Sequence, residues 1–279
     1  MIQLSFCPIC NFPITKAQKI YTRTADSIFK CEKCKSLFSN PQYSFEELDV
    51  LYKENYWESD TSMGSYQIEE HRRNKLIYHK MLNNIKKRYY SKFPLNTSIP
   101  PKLLDFGCGP GYFLYESKKY GFEPLGIELS IPALDFARKQ YDLNVIEGSE
   151  KELANFPDNY FDIITCWSVL EHLSNPRKLL SEFNRVLKPG GFLCVSIPNI
   201  NCYEHKLKKG NWYNIQNPAH VVFLQEHSLK QLLKETGFNN FYRPIFFGGF
   251  KMKLHKKIIQ YFIRILNIGH STRIDSEKI

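Results

Sequence analysis

The chain has 279 residues, of which 43% are hydrophobic and 24% charged, and carries a formal net charge of +10. That length suffices for one large domain with an accessory unit, and the composition is that of an ordinary globular protein. No run of eighteen apolar residues occurs, which excludes a membrane-spanning helix on sequence grounds. The surplus of positive charge favours acidic partners: nucleic acid, anionic lipid or phosphorylated substrates.

Residues 1–40 read as a zinc ribbon. Of eight cysteines, four fall into two knuckles, Cys7-Pro8-Ile9-Cys10 and Cys31-Glu32-Lys33-Cys34, with twenty residues between them. Two C-x-x-C pairs at this distance present four thiolates to one tetrahedral ion, and no open ligand position is evident, so the zinc is expected to be structural. Lys30, Lys33 and Lys35 offset the charge of the second knuckle. The start, Met1 to Cys7, lacks a signal-peptide layout, so a cytoplasmic chain without disulfides is expected. Cys108, Cys166, Cys194 and Cys202 are scattered through the later apolar strands and read as buried packing residues.

Residues 41–101 read as a helical connector. Ser44 and Glu47 form a capping box at the start of a short helix. Tyr52, Tyr56 and Trp57 follow; Tyr52 or Tyr56 either faces the substrate or packs the ribbon onto the larger domain. Over 66–92 the pattern is helical. Ile68, Leu76, Ile77, Met81, Leu82 and Ile85 share one face, and Arg72, Arg73, Lys75, Lys86, Lys87 and Arg88 are expected to be solvated. Pro94 to Pro101 is a linker.

From residue 102 strands and helices alternate, the signature of a parallel sheet covered on both faces. The apolar run Leu103-Leu104-Asp105-Phe106 opens into Gly107-Cys108-Gly109-Pro110-Gly111 and then a helix that stops at Gly121. A dinucleotide fingerprint requires glycine where Tyr112 stands, and a phosphate loop requires Gly-Lys-Ser/Thr; both are absent. Twenty-three residues after Asp105, strand two ends in Glu128, a carboxylate suited to ribose hydroxyls. A glycine turn and a ribose acid without a phosphate anchor suit an adenosine that carries no phosphate. These residues, with Phe156 to Thr165 and Lys188-Pro189-Gly190-Gly191, resemble the class I S-adenosylmethionine-dependent methyltransferases through residue 248. The ribbon and the Tyr-rich segment are similar to those of bacterial sugar and glycoconjugate methyltransferases.

The resemblance implies a Rossmann-like, mostly parallel sheet over 102–248. It also implies a cofactor pocket formed by Asp105, Gly107, Gly109, Gly111, Glu128, Leu129, Ser149, Glu150 and Trp167. Family members often carry an acid where Ser149 stands. Strand three is expected to end at Glu147, strand four near Trp167, strand five to span Phe192–Ile197 and strand six Phe241–Phe247. His172 after strand four is a base, a substrate contact or a structural histidine; His220, in Pro218-Ala219-His220, is the preferred general base. The insertion up to residue 218, with Lys206, Lys208, Lys209, Trp212 and Tyr213, reads as a substrate lid. Residues 249–279 form a basic amphipathic segment. Its 251–268 stretch packs on the core as a helix or lies on an anionic membrane surface, and 272–279 supplies a poor seventh strand. The expected reaction is methyl transfer to a hydroxyl or carbon of a sugar, nucleotide-sugar or lipid-linked glycan. RNA, a quinone or phenol, and a non-catalytic cofactor-binding scaffold are the other readings.

Overall fold

The computed structural model describes residues 1–43, 47, 63–93, 99–244 and 271–279. Ser44, the tyrosine and tryptophan segment 52–57, Ile68 and the 251–268 stretch lie outside the described residues or side chains.

Strands β1 (Gln18–Thr22), β2 (Ser27–Lys30) and β3 (Leu37–Asn40) form an antiparallel meander between and beyond the cysteine knuckles. Helix α1 (Met63–Lys92) leads into the alternating part. There β4 (Lys102–Phe106), α2 (Tyr112–Lys119), β5 (Glu123–Glu128), α3 (Ile131–Tyr141) and β6 (Val145–Glu147) follow one another. Next come β7 (Phe161–Trp167), α4 (Pro176–Val186) and β8 (Leu187–Pro198). The chain continues through α5 (Tyr203–Lys208), α6 (Tyr213–Gln216), β9 (Val222–Phe223), α7 (Glu226–Glu235), β10 (Phe238–Tyr242) and β11 (Ser271–Lys278).

The main sheet has the order β10-β11-β8-β7-β4-β5-β6. β8, β7, β4, β5 and β6 are parallel, and β11 runs antiparallel to both β8 and β10. Buried parallel strands are rich in apolar residues, as the stretch Phe161 to Cys166 is with Phe161, Ile163, Ile164 and Cys166, because helices cover both faces. Succession turns one way from β4 through β5 to β6 and the other way through β7 to β8. A crevice therefore opens beyond the carboxyl ends of β4 and β7, where ligands of open α/β sheets bind.

Four features of the fold depart from or extend the sequence expectations. First, β10 begins at Phe238, three residues before the expected strand six, and residues 245–247 lie outside the described part.

Second, β11 is an interior strand, paired with β8 from Ser271↔Pro198 to Glu277↔Phe192. Its Thr272, Arg273, Asp275 and Ser276 are buried, so the apolar pattern that marks an interior strand is missing from the sequence. Third, the basic face of α1 is not simply solvated. Arg88 pairs with Asp275 at 3.3 Å and Glu277 at 3.7 Å, Lys92 with Glu277 at 2.8 Å, and Lys86 donates to the Tyr120 carbonyl at 2.9 Å. On the apolar side Met81, Leu82 and Ile85 are buried, whereas Leu76 and Ile77 are exposed.

Fourth, the ribbon is stitched into the larger domain. β9 adds a fourth strand to its sheet through Leu37↔Phe223 and Phe38↔Val222. Ser36 and Ser228 share a 2.8 Å hydrogen bond, and Cys7, Cys31, Cys34 and Phe38 belong to the same apolar cluster as Leu104 and Ile164.

Candidate active site

The turn after β4 needs its glycines. Gly107, Gly109 and Gly111 have φ of +71°, +52° and +79°, a region that side chains with a Cβ disfavour. A Cβ on Gly107 would also lie 2.4 Å from Val169 Cγ2, and one on Gly111 2.5 Å from Leu143 Cδ1. Gly107 keeps the loop close to the end of β7, whereas Gly111 lets α2 start against α3.

At the tip of β5, Glu128 is fixed by three main-chain donors. Gly109 N–H reaches Oε2 at 2.8 Å, and the N–H groups of Leu129 and Ser130 reach Oε1 at 2.9 and 3.0 Å. The glycine turn and the acid thus position each other. Asp105 is fully buried and accepts a 2.6 Å hydrogen bond from Thr165 Oγ1. Burial pushes its carboxyl up to about 7, helped by the charge of Glu128 and opposed by the Thr165 bond.

A cavity of about 470 Å³ fills the crevice. Asp105, Gly107, Gly109, Glu128, Leu129, Ser149, Glu150 and Trp167 all line it, as does His172. Gly111 does not, in keeping with its packing role. Residues 199–218 do not line it either. The expected lid instead packs on the ribbon, with Trp212 buried against Ile28, Leu37 and Phe223 and Tyr21 bonded to His205 at 3.3 Å. The residues fit S-adenosylmethionine: exposed main chain in the turn, a pinned carboxylate for hydroxyls, and Trp167 Nε1, a buried donor without a hydrogen-bond partner among the described residues.

A short 3₁₀ turn, Leu170–His172, follows β7. His172 Nδ1 lies 3.0 Å from the Ala219 carbonyl and His220 Nδ1 3.1 Å from the Asn214 carbonyl. Each bond places the proton on Nδ1 and the lone pair on Nε2. The rings meet edge to face with centroids 4.6 Å apart. Burial pushes His172 down to about 4 and His220 to about 3, so both imidazoles are neutral near pH 7. His220, the preferred base from sequence, is buried behind His172 and does not line the cavity.

Arg23, which the sequence reading passed over, explains that position. It pairs with Asp26, and its Nη1 donates to the carbonyls of Ile215, Asn217 and His220 at 3.1, 2.7 and 3.1 Å. The Arg23-Thr24-Ala25-Asp26 spacing was the available signal. Glu171 was also missed. It is buried, and neither carboxylate oxygen has a hydrogen-bond partner among the described residues. Burial pushes it up to about 8.

In the ribbon, Cys7 and Cys34 Sγ are 3.8 Å apart and Cys10 and Cys31 Sγ 3.5 Å, with all four sulfurs within 4.8 Å of one another. Zinc–sulfur bonds of about 2.3 Å in a tetrahedron put sulfurs about 3.8 Å apart, so the set fits zinc. Each knuckle closes alike: Asn11 and Lys35, at φ +56° and +59°, donate to the carbonyls of Cys7 and Cys31 at 2.9 and 3.0 Å. The pairing of Cys7 with Cys34 pulls the Cys34 thiol down to about 5 and drives Cys7 up. The other four cysteines are buried, as expected.

A family model described as a methyltransferase domain matches residues 69–242. The chain belongs to this methyltransferase family. It is 39% identical over 128 residues to an uncharacterized methyltransferase of Schizosaccharomyces pombe, across 38% of this chain and 45% of that protein. It is 29% identical over 174 residues to a ubiquinone biosynthesis O-methyltransferase of Actinobacillus pleuropneumoniae, across 59% of this chain and 68% of that one. The first of these relatives is thus matched over less than half its length.

Among solved structures, a SAM-dependent methyltransferase from Archaeoglobus fulgidus aligns with a TM-score of 0.51 and 23% identity, covering 71% of this chain and 94% of that one. Phosphoethanolamine N-methyltransferase 2 of Haemonchus contortus, solved with S-adenosyl-L-methionine, aligns at 0.50 with 15% identity, covering 72% and 52%. These likenesses establish the fold. No helix among the described residues is long and apolar enough to cross a membrane.

Proposed function

We propose that this family member methylates a hydroxyl oxygen of a small acceptor carried on an apolar, phenol-like ring, with S-adenosylmethionine as donor. The observation that carries the reading is the cavity wall beside His172. Phe113, Trp167, Val169 and Leu173 make it mostly apolar, and the imidazole is the group suited to accept a proton. The bound donor supplies a methyl group on a positively charged sulfur. With that donor bound, the turn 107–109 and Glu128 would orient it, aromatic walls would exclude water, and neutral His172 would take the acceptor's hydroxyl proton on Nε2. The O-methyltransferase among the relatives supports an oxygen acceptor.

A sugar or lipid-linked glycan hydroxyl is the second reading, favoured by the four-cysteine ribbon. A panel of phenols, catechols and nucleotide sugars incubated with methyl-labelled cofactor tests both. Transfer to phenols, lost in His172→Ala, is expected. Transfer to sugars alone moves the assignment to the second reading, and no transfer to any acceptor class overturns both.

A further inference from the structure

Around and behind His172 sits an arrangement that its role as proton acceptor does not require. One ligand atom from each of Glu171, His172 and His220 lies within 4.8 Å of the others. Glu171 comes from the turn after β7, and so does His172; His220 comes from the segment before β9 that Arg23 holds in place. We propose that Glu171, His172 and His220 form a second metal site, distinct from the ribbon, that takes a divalent transition-metal ion.

Three observations lead there. A buried carboxylate whose oxygens lack a well-formed hydrogen bond is costly as a charge and wasteful as an acid, and both Glu171 oxygens are in that position among the described residues. A cation removes the anomaly, because it is the partner a carboxylate accepts without any proton. The two rings, in turn, carry the second layer that ligating histidines need: each sets its Nδ1 on a main-chain carbonyl, which fixes the ring and points the basicity to Nε2. The composition, two imidazoles and one carboxylate, also matches ions of the zinc, cobalt, nickel and iron class better than calcium or magnesium.

The spacing needs a small contraction. Metal–ligand bonds of about 2.0–2.2 Å place ligand atoms roughly 3–4 Å apart, against the 4.8 Å within which these three lie. Entry is provided by His172, which lines the cavity while the other two ligands lie deeper. Positive charge nearby is already matched, since Arg23 at the His220 carbonyl is paired with Asp26. A bound cation takes the Nε2 lone pair that His172 otherwise offers to a hydroxyl proton, and leaves positions open toward the cavity for an acceptor oxygen.

The test does not depend on turnover, so it stands apart from the acceptor assignment. Cobalt(II) is titrated into protein whose ribbon is already filled with zinc, and the visible spectrum is followed. Cobalt bound by cysteine shows intense thiolate charge-transfer absorption, whereas cobalt bound by nitrogen and oxygen shows only weak ligand-field bands. The expected result is uptake of a single equivalent with weak bands only, lost in both Glu171→Gln and His220→Ala. Glu171→Gln retains size and shape, and its melting curve checks that the fold survives. No uptake by the parent protein, uptake unchanged in both variants, or uptake solely with charge-transfer absorption overturns the proposal.

Discussion

Gly107→Ala separates the two demands placed on the turn. At φ +71° an added Cβ carries a backbone cost of roughly 1–2 kcal/mol, offset in part by about 0.4–1 kcal/mol from a less flexible unfolded chain. The Cβ also lands 2.4 Å from Val169 Cγ2. Valine has a stiff χ1, so the clash is relieved by moving the β7 end or the turn, at about 1–3 kcal/mol. Gly121 provides the control. Its φ is +85°, and an added Cβ meets nothing within 4 Å.

Gly121→Ala therefore keeps the backbone cost alone. Gly107→Ala is expected to lose about 1–3 kcal/mol more in denaturant unfolding, and to bind demethylated cofactor at least about tenfold more weakly. Because Gly107 and Val169 both line the cavity, the loss of affinity accompanies the loss of stability. Adding Val169→Ala to Gly107→Ala should return most of the excess stability, a coupling a double-mutant cycle measures directly. Equal losses in the two glycine variants, with equal cofactor affinity, refute the reasoning.

Three further outcomes follow from the geometry. Arg23→Ala leaves Asp26 buried and alone and three carbonyls without their donor, so unfolding should show a loss of about 3–5 kcal/mol. Arg23→Lys should recover little of it, because a lysine cannot reproduce the fork. Removing the ribbon metal with a strong chelator should reduce methyl transfer as well as ribbon structure. β3 pairs with β9, which directly follows the His220 segment, so loss of ribbon structure with unchanged activity contradicts this.

Asp105→Asn should change the pH dependence of stability. The folded carboxyl titrates near 7 against 3.8 for the free group, so the folded state binds the extra proton. Its contribution is complete below about pH 3.8 and is lost as pH rises through 7, by about 4 kcal/mol at most. The asparagine variant should gain on the parent protein over that window in urea titrations; parallel curves contradict it.

Much of the sheet was legible because buried parallel strands announce themselves. Leu103 to Phe106 and Phe161 to Trp167 are mostly apolar stretches bounded by turns, interrupted only by Asp105 in the first and by Asp162 and Thr165 in the second, and the glycine turn with Glu128 lies at the spacing of a nucleoside pocket. The strand β11 was hard to read because its interior position is secured by ion pairs to α1, so its sequence is polar. The same long-range pairing hid the partners of Arg88 and Lys92, some 185 residues away in sequence.

His172 and His220 were both visible as histidines in loops after strands. Their order, one on the cavity and one behind it, depends on Arg23 reaching across 192 to 197 residues to fix a loop, which local pattern cannot convey. Glu171 was invisible for a different reason: a buried carboxylate is recognised by its missing partners, a property of the folded state.

The central claim is that the turn 107–109 and Glu128 hold S-adenosylmethionine. Titration calorimetry with S-adenosylmethionine and its demethylated product, on the parent protein and on Glu128→Gln, tests it most directly. The parent protein should bind both in a single site, and Glu128→Gln should bind about ten- to a hundredfold more weakly, since a charge-assisted hydrogen bond is lost. No heat from either compound with the parent protein, or equal affinity in the variant, contradicts the account.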